Sequence, residues 1–451
     1  MSDRAPTLRR QLLTAAGGTL GVRIAAILAS MAAAIVLARA LGPAAFGTYA
    51  YVFAISSLLA APAQLGIPAL VTRETARSHA LGAWPEMRGL WRWANRSILS
   101  MSVALGACGL LYVILDREDG EPQRAWTFAA GFLLVPLIAL SSARGAALAG
   151  LRFVARGQFP DGVMRPLLLV LFVGAAWLSG GNVSAPSAMG WHVLAAAISL
   201  VAGTVMLIRT RPRALPAAVA ETSRVSEWWR AALPLAMITG LQALNEQTGL
   251  VVVGYYRPDE EAALYKVATS AAALTMLGMQ VTALVAAPHI PRLHALGDRP
   301  RLQRLLALGA LAGVGMTVPA ILLLSIGGRP VITAVFGADY VGALPPLLIL
   351  CVAQAANAAF GLNAVLLAMT GMEREAVRWL ALAGGANVLF SLALVPRLGA
   401  AGSAYAQLAS MLLWNIAFWA MARTKLDLDT SIAAAVPEVA QTLHLMGRRR
   451  S

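Results

Sequence analysis

The sequence predicts an all-α protein that crosses a membrane many times. The chain has 451 residues, of which 59% are hydrophobic and 13% are charged, whereas a soluble domain carries about 25% charged residues. About twelve apolar runs approach the roughly 18 residues that a helix needs to cross a bilayer. These runs are continuous, not alternating, and backbone in hydrocarbon must bond internally. We therefore expect a polytopic bundle of helices and exclude a β-barrel.

The apolar runs form two sets of six, separated by the longest polar connection. The first set lies at about 17–38, 46–66, 95–115, 125–143, 163–180 and 189–208. The second set lies at about 231–254, 263–287, 305–326, 343–368, 376–395 and 400–421. The expected organisation is an N-terminal six-helix lobe over 1–209, a cytoplasmic linker over 210–229, a C-terminal six-helix lobe over 230–421 and a cytoplasmic tail over 422–451.

The basic residues indicate the topology. Most of the 36 Lys and Arg residues fall on alternate connections, as the positive-inside rule requires when both termini are cytoplasmic. The net charge of +15 therefore reflects membrane orientation, and we expect no nucleic-acid partner, since no basic groove is interleaved with aromatic residues. Between the second and third runs, Trp84, Trp91 and Trp93 alternate with Arg88 and Arg92, which predicts a helix lying on the cytoplasmic face.

The two halves share short motifs in register. Pro43–Tyr49 follows the first run as Glu261–Tyr265 follows the seventh, and Ile67–Arg73 ends the second run as Ala287–Arg292 ends the eighth. Because this offset spans an even number of helices, the halves would have the same orientation and be related by an axis along the membrane normal.

Motifs along nearly the whole chain resemble the polysaccharide and O-antigen flippases, within the superfamily that also holds multidrug and oligosaccharidyl-lipid exporters. They are Arg39–Tyr49, Gln64–Ile67, Arg73–Arg77, Gly150–Arg152 with Arg165-Pro166, Phe336–Tyr340, Met369–Arg374 and Gly399–Ala404 with Trp414-Asn415. Met372 stands where the family pattern leads us to expect His.

This resemblance implies two lobes around a central cavity that opens alternately to each face of the bacterial cytoplasmic (inner) membrane. The implied cargo is an undecaprenyl-pyrophosphate-linked oligosaccharide, such as an O-antigen, exopolysaccharide or capsule unit, moved from the inner to the outer leaflet. The expected partners are this lipid-linked substrate, membrane lipid and, as a further option, polysaccharide polymerase or other assembly proteins.

Arg23 is the strongest candidate for binding the cargo. It lies about two turns into the first apolar run, and a charged residue within a span indicates a functional site by default. A guanidinium suits the paired oxygens of a phosphate. The alternative is that Arg23 extends to the cytoplasmic headgroups and only anchors the helix.

Glu246 is the second candidate, midway along the seventh run, with Gln242 on the same helical face. It could carry a proton during transport, since burial favours the neutral carboxyl, or serve as counter-charge to Arg23. It could equally form a structural hydrogen bond between helices.

Five further polar residues complete the set of cavity candidates. Gln64, Gln354 and Asn357 lie within apolar runs, where amides more often join helices than bind ligands. Arg39 and Arg73 flank span ends and either anchor the topology or meet a phosphate at a cavity mouth.

An enzyme, a cofactor and a metal site are not expected. The chain lacks a G-x-x-x-x-G-K-[ST] phosphate loop, and Asp427-Leu428-Asp429 matches a metal-binding D-x-D motif without a nucleotide-binding domain around it. The alternatives to a flippase are a cation-coupled drug antiporter of the same superfamily and a non-transporting membrane component of polysaccharide assembly.

Overall fold

The computed structural model describes residues 8–115, 122–287 and 289–435. Within these residues the chain is helical and has no strand, which confirms the predicted all-α class. The α-helices are α1 Leu8–Gln64, α2 Ile67–Leu81, α3 Trp84–Leu115, α4 Pro122–Gly150, α5 Val154–Phe159, α6 Arg165–Leu178, α7 Ala185–Thr210, α8 Val225–Tyr256, α9 Asp259–Thr275, α10 Leu277–Ala286, α11 His289–Ala295, α12 Arg299–Val335, α13 Leu344–Phe360, α14 Asn363–Met369 and α15 Glu373–Lys425. A π-helix, Pro160–Met164, joins α5 to α6, and 3₁₀ turns occupy Ala338–Ala343 and Ile432–Ala434.

Eight helices in the described residues are long and apolar enough to cross a membrane, or nine if α9 and α10, bent by 42°, form one span. Two of these helices are much longer than a bilayer requires and are broken at a glycine. The breaks lie at Gly42 in α1, where φ is 72°, and at Gly399 in α15, where φ is 58°. They separate the first and second, and the eleventh and twelfth, predicted spans; the total of twelve stays a prediction.

Helix α8 corresponds to the seventh predicted span but is not among the eight apolar helices. The reason is its polar run, Gln242–Thr248, which carries two glutamines, an asparagine and a glutamate within two turns. Polar groups in a membrane helix are costly unless they serve packing or function. The low hydropathy of α8 therefore marks it as a functional candidate.

Contacts divide the chain into two compact units. The first extends to Gly254 and includes Pro258–Ala263; the second comprises Tyr255–Arg257 and the chain from Leu264 onward. The first unit thus contains nearly all of α8, which the sequence assigns to the C-terminal lobe. The predicted lobe boundaries stay a prediction, and residues 436–451 of the predicted tail lie outside the described residues.

The core of the first unit forms where α2, α3, α4 and the segment before α8 meet. Met87, Leu90 and Leu148 are almost completely buried there. The predicted linker takes part in this core through Leu215, which is buried in the same cluster. The guanidinium of Arg88 donates to the carbonyl oxygens of Pro216, at 2.6 Å, and Ala218. The linker is therefore packed against α3.

The prediction of a separate helix on the cytoplasmic face around Trp84–Trp93 is wrong. These residues form the first turns of α3, which continues without a break to Leu115. The physical reason is burial: Trp93 packs in the core against Trp228, with ring centroids 5.5 Å apart. An amphipathic pattern alone does not distinguish a helix on the membrane surface from a membrane helix that extends beyond it.

Gly66 joins α1 to α2 in a left-handed conformation, with φ of 66°. A Cβ atom at this position would lie 2.7 Å from the carbonyl oxygen of Ala232 in α8, and it would also overlap backbone atoms of Leu235 and Ala236. Two independent features therefore require glycine at this position: the left-handed backbone angle and the close approach of α8.

The second unit has a core in which α12, α14 and the end of α15 meet. Leu302, Leu306, Leu366 and Leu428 are buried in it. Leu428 belongs to the segment after α15, so this segment is held against α12. The side-chain amide of Gln303 donates to the carbonyl oxygen of Asp429 at 2.6 Å and accepts the backbone N–H of Asp429 at 2.9 Å.

The carboxylate of Asp429 fixes this segment. It accepts hydrogen bonds from the indole N–H of Trp419, at 2.9 Å, and from the backbone N–H and hydroxyl of Ser431, at 2.9 and 2.7 Å. Partial burial acts to raise the pKa of Asp429, but these hydrogen bonds and the charge of Arg423 prevail and hold the pKa below its ordinary value. Asp429 of the D-x-D sequence therefore holds the segment after α15 in place through these hydrogen bonds.

We expect Asp429→Asn to lower stability at pH 7, because a neutral amide loses the charge-assisted bonds, worth about 1–2 kcal/mol in total after solvent screening. Because the pKa of Asp429 is lower in the folded than in the unfolded protein, its ionised carboxylate stabilises the fold above the unfolded pKa of about 3.9. This stabilisation is lost progressively as the pH falls below that value and through the folded pKa. The difference in thermal unfolding temperature between wild type and variant should therefore shrink below about pH 4.

Asp427→Asn is the matched control for this prediction. Asp427 lies two residues away and pairs with Arg299 at 3.3 Å, but its side chain is 85% exposed. Exposed ion pairs contribute little to stability. If the two variants unfold alike at pH 7, the role assigned to Asp429 is wrong.

Candidate functional site

An open cleft of about 490 Å³ lies within the first unit. Its walls come from α1, the start of α2, the C-terminal half of α4, α5 and the π-helix. Most of the lining side chains are small or polar, and Arg23 is the single basic residue among them. The polar lining residues are Arg23, Thr72, Ser141, Ser142, Gln158 and Asp161.

Small residues bring the walls of the cleft close together. A Cβ atom at Gly145 in α4 would lie 2.7 Å from the carbonyl oxygen of Gly157 in α5, and one at Gly157 would lie 2.5 Å from that of Gly145. A Cβ atom at Gly162 would lie 3.2 Å from the side chain of Ala26 in α1. Glycine at these positions therefore lets α5 pack directly on the backbone of α4 and lets the π-helix pack against α1.

Asp161 lies in the π-helix that lines the cleft. Its carboxylate pairs with Arg165, with 3.3 Å between Oδ1 and Nε. A π-turn inside an α-helix is uncommon and often occurs at functional sites, because the extra residue turns side chains out of the regular register. The cleft therefore combines a cation on one wall with a paired acid on another.

The sequence did not predict that Gln158 and Asp161 line a site. The predicted fifth span began at 163, whereas the structure has one candidate span over Val154–Leu178. Arg152–Phe153 end the preceding turn, and helical structure resumes at Val154. The available signal was the spacing of Asp161 and Arg165, one helical turn apart within an otherwise apolar segment.

The structure places Arg23 in the lining of the cleft, with its side chain exposed there. Within the described residues its guanidinium has no ion-pair or hydrogen-bond partner. The described apolar part of α1 begins at Gly17, so Arg23 lies about 9 Å along the helix axis from that end. The five donors of the side chain are thus available at a cleft that is lined by protein.

Glu246 and Gln242 lie in the polar run of α8, both exposed, and neither lines the cleft. In the described part of the chain no salt bridge joins Glu246 to Arg23. Their roles as proton carrier, counter-charge or cargo contact stay predictions.

The other candidates are dispersed. Gln64 is half-buried at the end of α1, Arg39 is exposed in α1, and Arg73 pairs with Glu74 at 3.2 Å; none of these three lines the cleft. In the second unit, Gln354 is half-buried in α13, and the amide oxygen of Asn357 accepts from Asn415 at 3.2 Å.

Asn415 also accepts a hydrogen bond from the amide of Asn363, at 3.0 Å. These amides therefore join α13, α14 and α15. This contact is of the kind that holds membrane helices together, and the roles of Gln354 and Asn357 toward a cargo stay predictions.

The family model described as "Polysaccharide biosynthesis protein" matches residues 16–296, which include the whole cleft and α8. The chain belongs to this family. No curated protein sequence matches the chain.

Solved structures of membrane transporters have the same fold as this member of the polysaccharide biosynthesis family. An inward-facing multidrug resistance MATE transporter of the MOP superfamily is 13% identical with a TM-score of 0.68, covering 91% of this chain and 98% of that one. The lipid II flippase MurJ, in an inward closed conformation, is 11% identical with a TM-score of 0.68, covering 91% and 88%. A MOP superfamily transporter from Pyrococcus furiosus is 14% identical with a TM-score of 0.58, covering 92% and 95%.

These identities establish the fold and leave the cargo open. Together with the apolar helices, they identify a multi-pass membrane protein of the MOP-superfamily fold. The predicted family resemblance is confirmed by the family match and by the structural neighbours.

Proposed function

We propose that this protein is a flippase that moves an undecaprenyl-pyrophosphate-linked oligosaccharide from the inner to the outer leaflet of the bacterial cytoplasmic membrane by alternating access. The observation that carries the proposal is Arg23, which lines a cleft inside a membrane helix bundle and has no partner there within the described residues. A pyrophosphate would supply the missing counter-charge, and a guanidinium binds its oxygens in a bidentate manner.

The size of the cleft supports binding of the headgroup alone. Its volume of about 490 Å³ falls in the range of pockets for small molecules, which suits a pyrophosphate with one or two sugars. A long polyprenyl tail would not fit and would remain in the bilayer. Hydroxyl and amide groups of Ser141, Ser142 and Gln158 offer the hydrogen bonds that a sugar requires.

The location of the cleft supports loading from the cytoplasm. Arg73 lies in α2 beside the lining residue Thr72, and Arg152 follows the end of α4. The positive-inside rule assigns the connections that carry these two residues to the cytoplasmic face. A lipid-linked precursor made in the cytoplasm would therefore meet Arg23 first. Release on the other face would require the cleft to close, in the manner of alternating access.

The antiporter remains a second candidate because of α8. Glu246 is an exposed acid in a membrane helix and has no ion-pair partner in the described residues, which is what a cation-coupled exporter needs. In the flippase that we propose, the carboxyl of Glu246 either contacts the cargo together with Gln242 or carries the coupling proton.

The test is the sidedness of the lipid-linked oligosaccharide in cells that lack this protein. A membrane-impermeant glycan probe on spheroplasts should label less of the pool than in wild type, while total extraction shows accumulation. Restoration by the wild-type gene is the control. An unchanged sidedness with loss of drug resistance would favour the antiporter. An unchanged sidedness with loss of polymer would favour a component of the assembly machinery.

A further inference from the structure

A second pocket in the first unit lies on the other side of α4 from the cleft. It has a volume of about 110 Å³ and lies between α3, α4 and α7. On α4 it is lined by Ala143, Arg144 and Ala147, whereas the cleft is lined by Gly145, Ala146 and Ala149 among others. Because successive helical residues rotate by about 100°, these two sets face opposite directions.

Arg144 is held in this pocket by neutral groups only. Its guanidinium donates to the side-chain oxygen of Asn95 and, through Nε at 3.2 Å, to the hydroxyl of Thr204. Among the described residues no carboxylate pairs with it. These bonds use two of its five donor hydrogens. The positive charge of the guanidinium has no counter-ion among the described residues. A half-buried cation in this state is costly unless an anion completes the site.

A second guanidinium faces the same pocket. Arg211, the residue directly after α7, is half-buried and also lines it. The ring of Trp91 forms another wall, and its indole N–H is already bound to the hydroxyl of Thr75 at 2.9 Å. The polar groups that remain for a ligand are therefore cationic donors, which selects an anion of about the size of one phosphate group.

The surface beside the pocket is apolar and exposed. On α3 these residues are Leu99 and Val103, and on α7 they are Val201, Val205 and Ile208, the last of which also lines the pocket. In a membrane protein such a surface contacts acyl chains. The pocket lies at the C-terminal ends of α4 and α7, the ends that the positive-inside rule places at the cytoplasmic headgroups.

We propose that this pocket binds the phosphate group of an anionic phospholipid of the cytoplasmic leaflet. Arg144 and Arg211 hold the phosphate, Asn95 and Thr204 orient the guanidinium of Arg144, and the acyl chains lie along α3 and α7. The lipid would brace three helices on the side of α4 opposite the cleft. This site is separate from the flippase proposal and does not depend on it.

The test measures lipid binding to the full-length protein in neutral detergent. Native mass spectrometry should show phosphatidylglycerol retained by the wild type and phosphatidylcholine not retained. Arg144→Gln and Arg211→Gln should each reduce the affinity for phosphatidylglycerol about tenfold or more. Arg209→Gln is the matched control, since Arg209 is two residues from Arg211 but does not line the pocket.

A second arm separates the two sources of a phosphate group. Inorganic phosphate at millimolar concentration should leave the thermal unfolding temperature unchanged, whereas phosphatidylglycerol should raise it. Stabilisation by inorganic phosphate that Arg211→Gln abolishes would assign the pocket to a soluble phosphate compound instead. Equal retention of phosphatidylglycerol by Arg211→Gln and Arg209→Gln would overturn the site, and this comparison holds even if Arg144→Gln does not fold.

Discussion

Replacing Arg23 by Gln is expected to lower outward movement of the lipid-linked oligosaccharide strongly while the protein still folds and reaches the membrane. Arg23 is exposed in the cleft and has no partner in the described residues, so its loss breaks no internal contact. Each charge-assisted hydrogen bond to a phosphate is worth about 1.5–3 kcal/mol, which corresponds to a drop of about 10- to 100-fold in affinity for the cargo. Labelling of spheroplasts with the impermeant glycan probe, in cells that carry only the variant, measures the effect.

Two further variants sharpen this experiment. Arg23→Lys keeps the charge but loses the bidentate geometry and should restore only part of the labelling. Arg92→Gln removes an exposed basic residue of α3 that does not line the cleft and should label like wild type. Normal labelling with Arg23→Gln would mean that the cargo does not bind at this residue and that Arg23 serves as a membrane anchor.

Replacing Gly66 by Ala is expected to lower the free energy of unfolding by about 2–5 kcal/mol. A left-handed backbone costs a residue with a Cβ atom about 1–2 kcal/mol, and forced overlap in a packed region typically costs about 1–3 kcal/mol more. The overlapping atoms belong to the backbone of α8, which cannot move aside as a side chain can. Thermal unfolding in detergent and the yield of monodisperse protein measure the loss.

Gly82→Ala separates the two causes. Gly82 has nearly the same backbone angle, with φ of 67°, but a Cβ atom there would have nothing within 4 Å. Its substitution should therefore cost only the backbone term of about 1–2 kcal/mol. If the two variants lose the same free energy of unfolding, the close contact between α8 and position 66 is absent from the folded protein.

The sequence was sufficient for the fold class because hydrocarbon imposes a simple rule. Long apolar runs with internally bonded backbone must be helices, and the described residues confirm this. Helix ends were harder. The breaks at Gly42 and Gly399 fall between predicted spans, but the start of α5 lies about nine residues before the predicted fifth span. Hydropathy alone does not find such ends, since helices in this chain extend beyond the apolar region.

The candidate site was predictable only where a charge interrupts an apolar run. Arg23 stands out for this reason, and the structure places it in a cleft. Asp161 and Arg144 did not stand out, because both lie near predicted span ends, where charged residues are common. Their surroundings depend on how α4 packs between α1, α3 and α7, and these helix–helix contacts cannot be predicted from the hydropathy and charge pattern of one sequence.

The position of α8 has a consequence for how the chain is made. The first unit includes the packed linker and α8, so its core lacks Leu215, Trp228 and the backbone beside Gly66 until 236 residues have been synthesised. A nascent chain that has inserted only its first six spans therefore has exposed surface around α2 and α3. Biogenesis of the first unit ends one membrane helix later than the symmetry of the sequence suggests, and a gene split at the linker would separate parts that belong to one folding unit.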